Sequence, residues 1–251
     1  MTTKTPLRSY AVFLCAAFAL STIAWAGAVA QNAPLTKASE KAAAPETAVG
    51  EACALLPPSS PAKAEPGQRT RSGKVSERFP NIMLRTQCDT QVRFYDDIVK
   101  DRIVLINFMY TTCSDICPGT TQNLVDVYDY LAGRMGRDML MLSISIDPEV
   151  DTPDALMRYT VIFDGPKPGW LFLTGDYAEI DRLRRSLGVY DLDPIVDADK
   201  TQHAGIVTFG NDRTNRWAVL PAMMDSKELA RTILRITRDP RAKRRNLSSL
   251  E

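Results

Sequence analysis

The chain has 251 residues, 45% of them apolar and 24% charged, with 31 Lys plus Arg against 30 Asp plus Glu and a net charge of +1. This is a globular composition that excludes a wholly disordered, collagen-like or multi-span membrane chain, and the balanced charge excludes the broad basic field that non-specific nucleic-acid binding needs. Five cysteines stand beside a single histidine, so imidazole chemistry must use His203 or not occur.

Lys4 and Arg8 precede a stretch from Ser9 to Thr36 without a charged residue. Residues 1–30 therefore read as a signal peptide, with small-residue cleavage candidates at Ala24-Trp25-Ala26 and Ala28-Val29-Ala30, or as an uncleaved membrane anchor through residues 11–30. Roughly 20 apolar residues suffice to span a bilayer, which keeps both readings open. Either way the remainder is exported, to a periplasmic compartment where thiols oxidise, soluble or held at the inner membrane. Cys15 follows Leu14 instead of a small residue and reads as apolar filler. Residues 31–75 hold six prolines and ten alanines and no aromatic residue, a Pro/Ala-rich tether with too little apolar bulk to offset the entropy of ordering it. Residues 241–251 form a basic tail.

A single domain is predicted between these segments, at residues 76–240. Ile82 to Leu84 and Val92 to Tyr95 flank a polar turn, Thr86 to Thr90, and predict a hairpin. Ile103 to Tyr110 is a continuous apolar run of strand length, as expected for a central strand covered on both faces. Leu124, Val127, Tyr128 and Leu131 recur at helical spacing, and Met139 to Ile146 predicts a second buried strand. Thr152-Pro153 supplies an N-cap and a first-turn proline for a helix marked by Leu156, Tyr159 and Phe163. A short strand at Trp170 to Thr174, a helix through Ile180, Leu183 and Leu187, paired strands at Gly205 to Gly210 and Arg216 to Pro221, and a last helix through Leu229, Ile233 and Ile236 complete the domain. This order predicts an α/β, thioredoxin-like sandwich with an N-terminal β-hairpin and an inserted helix.

In such sheets ligands gather where strands end and helices begin. Directly after Tyr110 the sequence reads Thr111-Thr112-Cys113-Ser114-Asp115-Ile116-Cys117-Pro118. A four-residue spacing brings both sulfurs to one face of a helix or lets a loop fold them together. A helix N-terminus favours thiolate, the form that binds soft metals and attacks disulfides. Two thiolates alone make a redox pair; two thiolates with the imidazole of His203 make a three-coordinate site suited to Cu(I). A structural disulfide between the two cysteines, and a histidine with no ligand role, are the plainer alternatives. A thioredoxin-style dithiol enzyme has its cysteines two residues apart and a cis-proline facing them. Here the spacing is wider, and no proline occurs between Ile195 and Leu220.

At these residues the sequence resembles the Sco/SenC family of copper-binding proteins that assist cytochrome c oxidase assembly. The resemblance is carried by Phe108 to Pro118, by Ser145-Ile146-Asp147-Pro148-Glu149-Val150-Asp151-Thr152-Pro153, by Leu173-Thr174-Gly175 and by the late isolated histidine. It implies that Cys113, Cys117 and His203 bind copper, as Cu(I) or Cu(II), with Asp115 and Asp147 near the site. It also implies a partner, either the copper-site subunit of the oxidase or another copper protein, with a thiol reductase as a further partner; the balanced charge argues against nucleic acid. Ser114 stands where the family usually has proline, and Thr201-Gln202 stand before the histidine where a Val-Asp pair is common.

Three features outside the motif complete the reading. Cys53 in the tether and Cys88 in the hairpin turn are either a second disulfide or exposed free thiols. Met139 and Met141 fit a core strand better than a soft-metal site. Met223-Met224 reads as local packing.

Overall fold

The structure, a computed structural model, describes Cys53 and residues 73–200 and 205–240. The readings made for the leader, most of the tether, Cys15, His203 and the tail lie outside the described residues. The described residues all belong to one compact unit, within Glu40–Glu251.

The hairpin is β1 (Met83–Thr86) and β2 (Gln91–Arg93). It is followed by β3 (Ile103–Met109), α1 (Ile116–Leu131) and β4 (Met139–Ser145), then by α2 (Pro153–Ile162) and β5 (Trp170–Gly175). After α3 (Tyr177–Ser186) and the short α4 (Pro194–Ala198) come β6 (Ile206–Asn211), β7 (Arg216–Pro221) and α5 (Ser226–Thr237). Among the described residues the strands form one sheet in the order β2-β1-β5-β4-β3-β6-β7. β3, β4 and β5 run parallel, while β6 pairs antiparallel with β3, and β7 with β6. A βαβ unit flanked by a ββα unit is the thioredoxin-type sandwich that the order of elements predicts.

Every residue of β3 and β4 is buried, because helices cover both faces of the sheet. The two-residue period of a strand divides the apolar side chains between two cores. Ile103, Leu105, Met109, Met139 and Met141 meet Leu124, Leu131, Leu156, Leu229 and Ile233 of α1, α2 and α5. Val104, Ile106, Phe108, Leu142 and Ile144 meet Ile180 and Leu183 of α3 and, from the N-terminal region, Phe94 and Ile98. Met135, Met139 and Met141 all lie in the first core, so their sulfurs serve packing. Helix starts are sealed by side chains: Thr152 accepts from the Ala155 N–H, Asp176 from Glu179 and Asp225 from Glu228, as capping requires.

The structure differs from the sequence reading at the hairpin. The second strand stops at Arg93 instead of reaching Tyr95, and the chain turns into one helical turn, Phe94–Val99. Local side chains take the amides a strand would have paired: Asn81 Oδ1 accepts from Tyr95 and Asp96, and Asp97 accepts from Arg93. The turn also buries Phe94, Ile98 and Val99 together, a spacing that no strand brings to one face. The five-residue α4 is a second addition, started by Asp193 accepting from the Ile195 N–H ahead of a first-turn proline.

Cys53 and Cys88 are joined in a disulfide across a separation of 35 residues, which removes the free-thiol alternative and ties a tether residue to the β1–β2 turn. Lys74 and Ser76 bond to the carboxylate of Asp212, and the Val75 N–H donates to Asn215 Oδ1 at 2.6 Å. The chain thus joins the domain at the β6–β7 turn, at the end of the sheet opposite the carboxyl ends of β3 and β4.

The indole of Trp217 lies across Gly210, where an added Cβ would sit 2.2 Å from ring carbon Cδ2, and Phe79 packs edge-on against the same ring at 5.1 Å. Gly210→Ala is expected to displace the indole and destabilise the domain by about 1–3 kcal/mol. Urea unfolding reads this as a lower midpoint; an unchanged midpoint would contradict the packing.

Candidate functional site

Strand β3 delivers the chain at Met109 to a tight loop, Tyr110 to Asp115, before α1 begins at Ile116. Cys113 is 7% exposed, Cys117 2%, and both are free thiols. The start of α1 lacks the oxygen cap found on the other helices, since the Asp115 side chain makes no capping bond. A sulfur takes its place: the Cys117 N–H points at Cys113 Sγ at 3.4 Å. Orphan amides at a helix start need an acceptor, and a thiolate there also gains from the helix dipole.

These contacts separate the two thiols. Burial pushes Cys113 up, but the S–H and N–H of Cys117, the N–H of Asp115 and the hydroxyl of Tyr110 outweigh it and hold Cys113 below the ordinary thiol range. Cys117 is pushed up to about 12, first by burial and then by donating its S–H to Cys113. Tyr110 is also raised to about 12, by burial and by its bond to Cys113. Cys113 is therefore the sulfur that ionises first and Cys117 the one that holds its proton, which suits a nucleophile with a resolving partner or two sulfur donors for a metal that displaces the protons still held.

Asp151 fixes the loop. Its carboxylate is fully buried and accepts from the Thr111 N–H at 3.0 Å, the Thr111 hydroxyl at 2.5 Å and the Ser145 hydroxyl at 2.6 Å. The sequence reading quoted Asp151 within its motif and gave it no role. The signal available was a pair of hydroxyl residues, Thr111 and Ser145, at the ends of two apolar strands, which need a common acceptor. Beyond Cys117, Tyr159 shares a 2.9 Å hydrogen bond with Thr121 and packs on Phe163 and Phe172.

Of the other residues singled out from sequence, Asp115 contributes its N–H to Cys113 while its side chain is exposed. The Asp147 carboxylate pairs with Lys200 at 2.7 Å, and its carbonyl accepts from the Val150 and Asp151 N–H groups, so it shapes the loop that carries Asp151. The Met223-Met224 segment packs on α1: Asn123 donates to the carbonyls of Ala222 and Met224, and the Met223 methyl lies 3.4 Å from where a Cβ on Gly119 would stand. His203 lies outside the described residues. The start of the following strand passes close to the motif, since a Cβ on Gly205, at φ +104, would lie 3.1 Å from Ile116 Cδ1. Among the described residues no group of three or more His, Cys, Asp or Glu side chains is placed to hold a metal ion; the thiol pair supplies two donors.

A family model described as SCO1/SenC matches residues 86–238. The human Protein SCO1 homolog, mitochondrial, is 36% identical over 129 residues, which is 51% of this chain and 42% of that protein. Bovine Protein SCO2 homolog, mitochondrial, is 39% identical over 103 residues, 38% of each chain. The chain therefore spans about half or less of the length of these relatives. Among solved structures, Bradyrhizobium japonicum ScoI with copper bound is 27% identical, with a TM-score of 0.50 over 63% of this chain and 98% of that one. A SCO1/SenC family lipoprotein from Bacillus anthracis has a TM-score of 0.53 over 68% and 99% of the two chains; at 18% identity the likeness is one of fold.

The separation of the two thiols predicts selective alkylation. In the reduced protein, iodoacetamide should modify Cys113 first, with a rate that rises through a midpoint below the ordinary thiol pKa. Cys117→Ala removes the S–H donor and should move that midpoint upward. Peptide mapping across a pH series checks both; equal labelling of the two cysteines at neutral pH would contradict the assignment.

Proposed function

Because the chain belongs to the SCO1/SenC family, we propose that it carries copper as cargo on Cys113, Cys117 and His203 and delivers it during cytochrome c oxidase assembly. The observation that carries this reading is the pair of reduced, buried thiols at the start of α1, one of them already favoured as thiolate. Two thiolates and one imidazole form a soft three-coordinate set that prefers Cu(I). His203 stands two residues before Gly205, and two residues reach at most about 7 Å, so the contact of Gly205 with Ile116 supports its recruitment to the cysteines. The acceptor is the copper-site subunit of the oxidase or another copper protein. We place the protein in the periplasm, exported through residues 1–30 and soluble or anchored by residues 11–30, with residues 31–75 as tether, 76–240 as copper domain and 241–251 as tail.

The unequal thiols also favour a second reading, a thiol-disulfide reductase acting on partner cysteines. The Cys113 thiolate would attack a partner disulfide, releasing one partner thiolate and forming a mixed disulfide. Cys117, losing its proton, would then displace the second partner sulfur, leaving the partner reduced and Cys113–Cys117 oxidised. A separate thiol reductase would restore the pair.

The reduced protein should bind one copper ion. Cys113→Ala and Cys117→Ala should each abolish binding, and oxidation to the Cys113–Cys117 disulfide should do the same. His203→Ala separates the readings: a copper carrier loses most of its affinity and keeps disulfide exchange, whereas a reductase is unaffected. Unchanged copper affinity in His203→Ala, measured by competition with a Cu(I) chelator, would sink the assignment of the histidine.

Copper affinity should also depend on pH. Between the lowered pKa of Cys113 and about 12 for Cys117, loading displaces one proton, the one on Cys117. Affinity should therefore rise about tenfold per pH unit across that window and fall as pH drops. A chelator competition series with no pH slope would contradict the protonation states assigned to the pair.

A further inference from the structure

One group of buried charges takes no part in the chemistry of the thiols. Arg184 on α3 and Asp197 on α4 are each 5% exposed. Two parallel bonds join them: one guanidinium nitrogen of Arg184 donates to Asp197 Oδ1 at 2.6 Å and another to Oδ2 at 2.9 Å. The same guanidinium reaches the Val189 carbonyl at 2.8 Å and Asp181 Oδ1 at 2.6 Å, while Asp197 also accepts from Arg185 and from the Asp191 N–H at 3.0 Å. A buried ion pair is a weak source of net stability, because desolvation offsets the attraction; what this one supplies is a single fixed place for α4. Beyond α4 the chain reaches the cysteine loop. Lys200 Nζ pairs with Asp147 at 2.7 Å, and the charge of Asp199 is felt at the Tyr110 hydroxyl, which bonds to Cys113. The Asp147 carbonyl closes the turn that presents Asp151, and Asp151 holds Thr111, two residues before Cys113.

We propose that α4 braces the cysteine loop, with Arg184 and Lys200 as positioning residues: the buried pair with Asp197 fixes the brace, and the ion pair of Lys200 with Asp147 passes it on to the turn that carries Asp151. A half-exposed ion pair contributes little to stability by itself. Asp147, however, is tied on both sides of its peptide, its N–H donating to Ser145 Oγ at 2.9 Å and its carbonyl accepting from Val150 and Asp151, so its carboxylate and the turn move together. Releasing the brace lets the segment from Thr111 to Cys113 leave the Cys117 amide and the Tyr110 hydroxyl. Both consequences favour oxidation: the reduced form loses donors to Cys113, and the sulfurs gain freedom to approach one another. The brace therefore favours the reduced pair. The proposal rests on the reading of Cys113 and Cys117 as the working pair, and it holds for copper cargo and for disulfide exchange alike.

The equilibrium of the full chain with glutathione tests this. In it the pair gives two electrons and two protons to glutathione disulfide, forming the Cys113–Cys117 bond and two glutathione thiols, and peptide mapping reads the fraction oxidised. Lys200→Gln should shift the equilibrium constant about threefold toward the protein disulfide, and Lys200→Arg should restore it. Arg184→Met, which strands Asp197, should shift it about tenfold or more. In an Asp147→Asn background Lys200→Gln should add nothing, because both changes remove the same contact. Arg182→Gln, which breaks an exposed pair with Glu179 on the same helix as Arg184, should leave the equilibrium unchanged, and urea midpoints check that Lys200→Gln is as stable as the parent chain. An unchanged constant in Lys200→Gln would overturn the proposal whatever Arg184→Met does. A shift of the same size in Arg182→Gln would also overturn it, as would a Lys200→Gln shift undiminished in the Asp147→Asn background, since the cation would then act by its field and not through the turn. A parent pair that never oxidises would sink the working-pair reading and the proposal with it, whereas failure to load copper would sink the copper reading alone.

Discussion

The buried carboxylate of Asp151 is the constraint on which the cysteine loop depends. A carboxylate wholly removed from water costs several kcal/mol unless its oxygens are saturated with donors. Here the donors are the amide and hydroxyl of Thr111 and the hydroxyl of Ser145. Thr111 lies two residues before Cys113 and Ser145 closes β4, so satisfying one charge fastens the loop after β3 to the loop after β4. Asp151 is itself presented by a turn closed on the Asp147 carbonyl. Two acids with different atoms at work, one a carboxylate and the other a carbonyl, thus hold the segment that aims the sulfurs.

With the loop held, the start of α1 becomes a chemical device. The other long helices spend an oxygen on their first amides, whereas this one presents its amide to Cys113 Sγ. The same geometry that makes the sulfur a cap favours its anionic form, and its neighbour, deeper and donating its proton, holds that proton more tightly. Thiol exchange needs this inequality in order to start. Metal binding has to undo it, because both sulfurs must be anionic in the loaded site. Carrying copper and exchanging disulfides therefore draw on the same two atoms in different protonation states, so a residue outside the pair, His203, separates them.

Much of this was legible in the sequence because burial on both faces leaves a strong trace. The unbroken apolar runs of β3 and β4 and the stripes of α1, α2, α3 and α5 name their own partners. So does the placement of the cysteines at a strand-to-helix junction. The hairpin was read one step too far: Val92 to Tyr95 is apolar enough for a strand, but amide capture by Asn81 and Asp97 is a contact between side chain and backbone that periodicity does not record. The role of Asp151 was invisible for a related reason, since a buried acid and a surface acid look alike until their donors are placed. The Cys53–Cys88 pairing needed spatial proximity, which a separation of 35 residues conceals.

Two kinds of cysteine pair coexist in this chain, and their surroundings explain how each can persist. Cys53 and Cys88 close a covalent tie at the hairpin turn, at the same end of the sheet where Lys74, Ser76 and the Asp101 amide converge on buried Asp212. That end has the work of holding the chain. Cys113 and Cys117 stand at the other end, where amides and hydroxyls favour one anion, and stabilising the thiolate stabilises the reduced form. The fully buried strands β3 and β4 separate the two ends. Attachment and chemistry are thereby kept at opposite ends of the sheet.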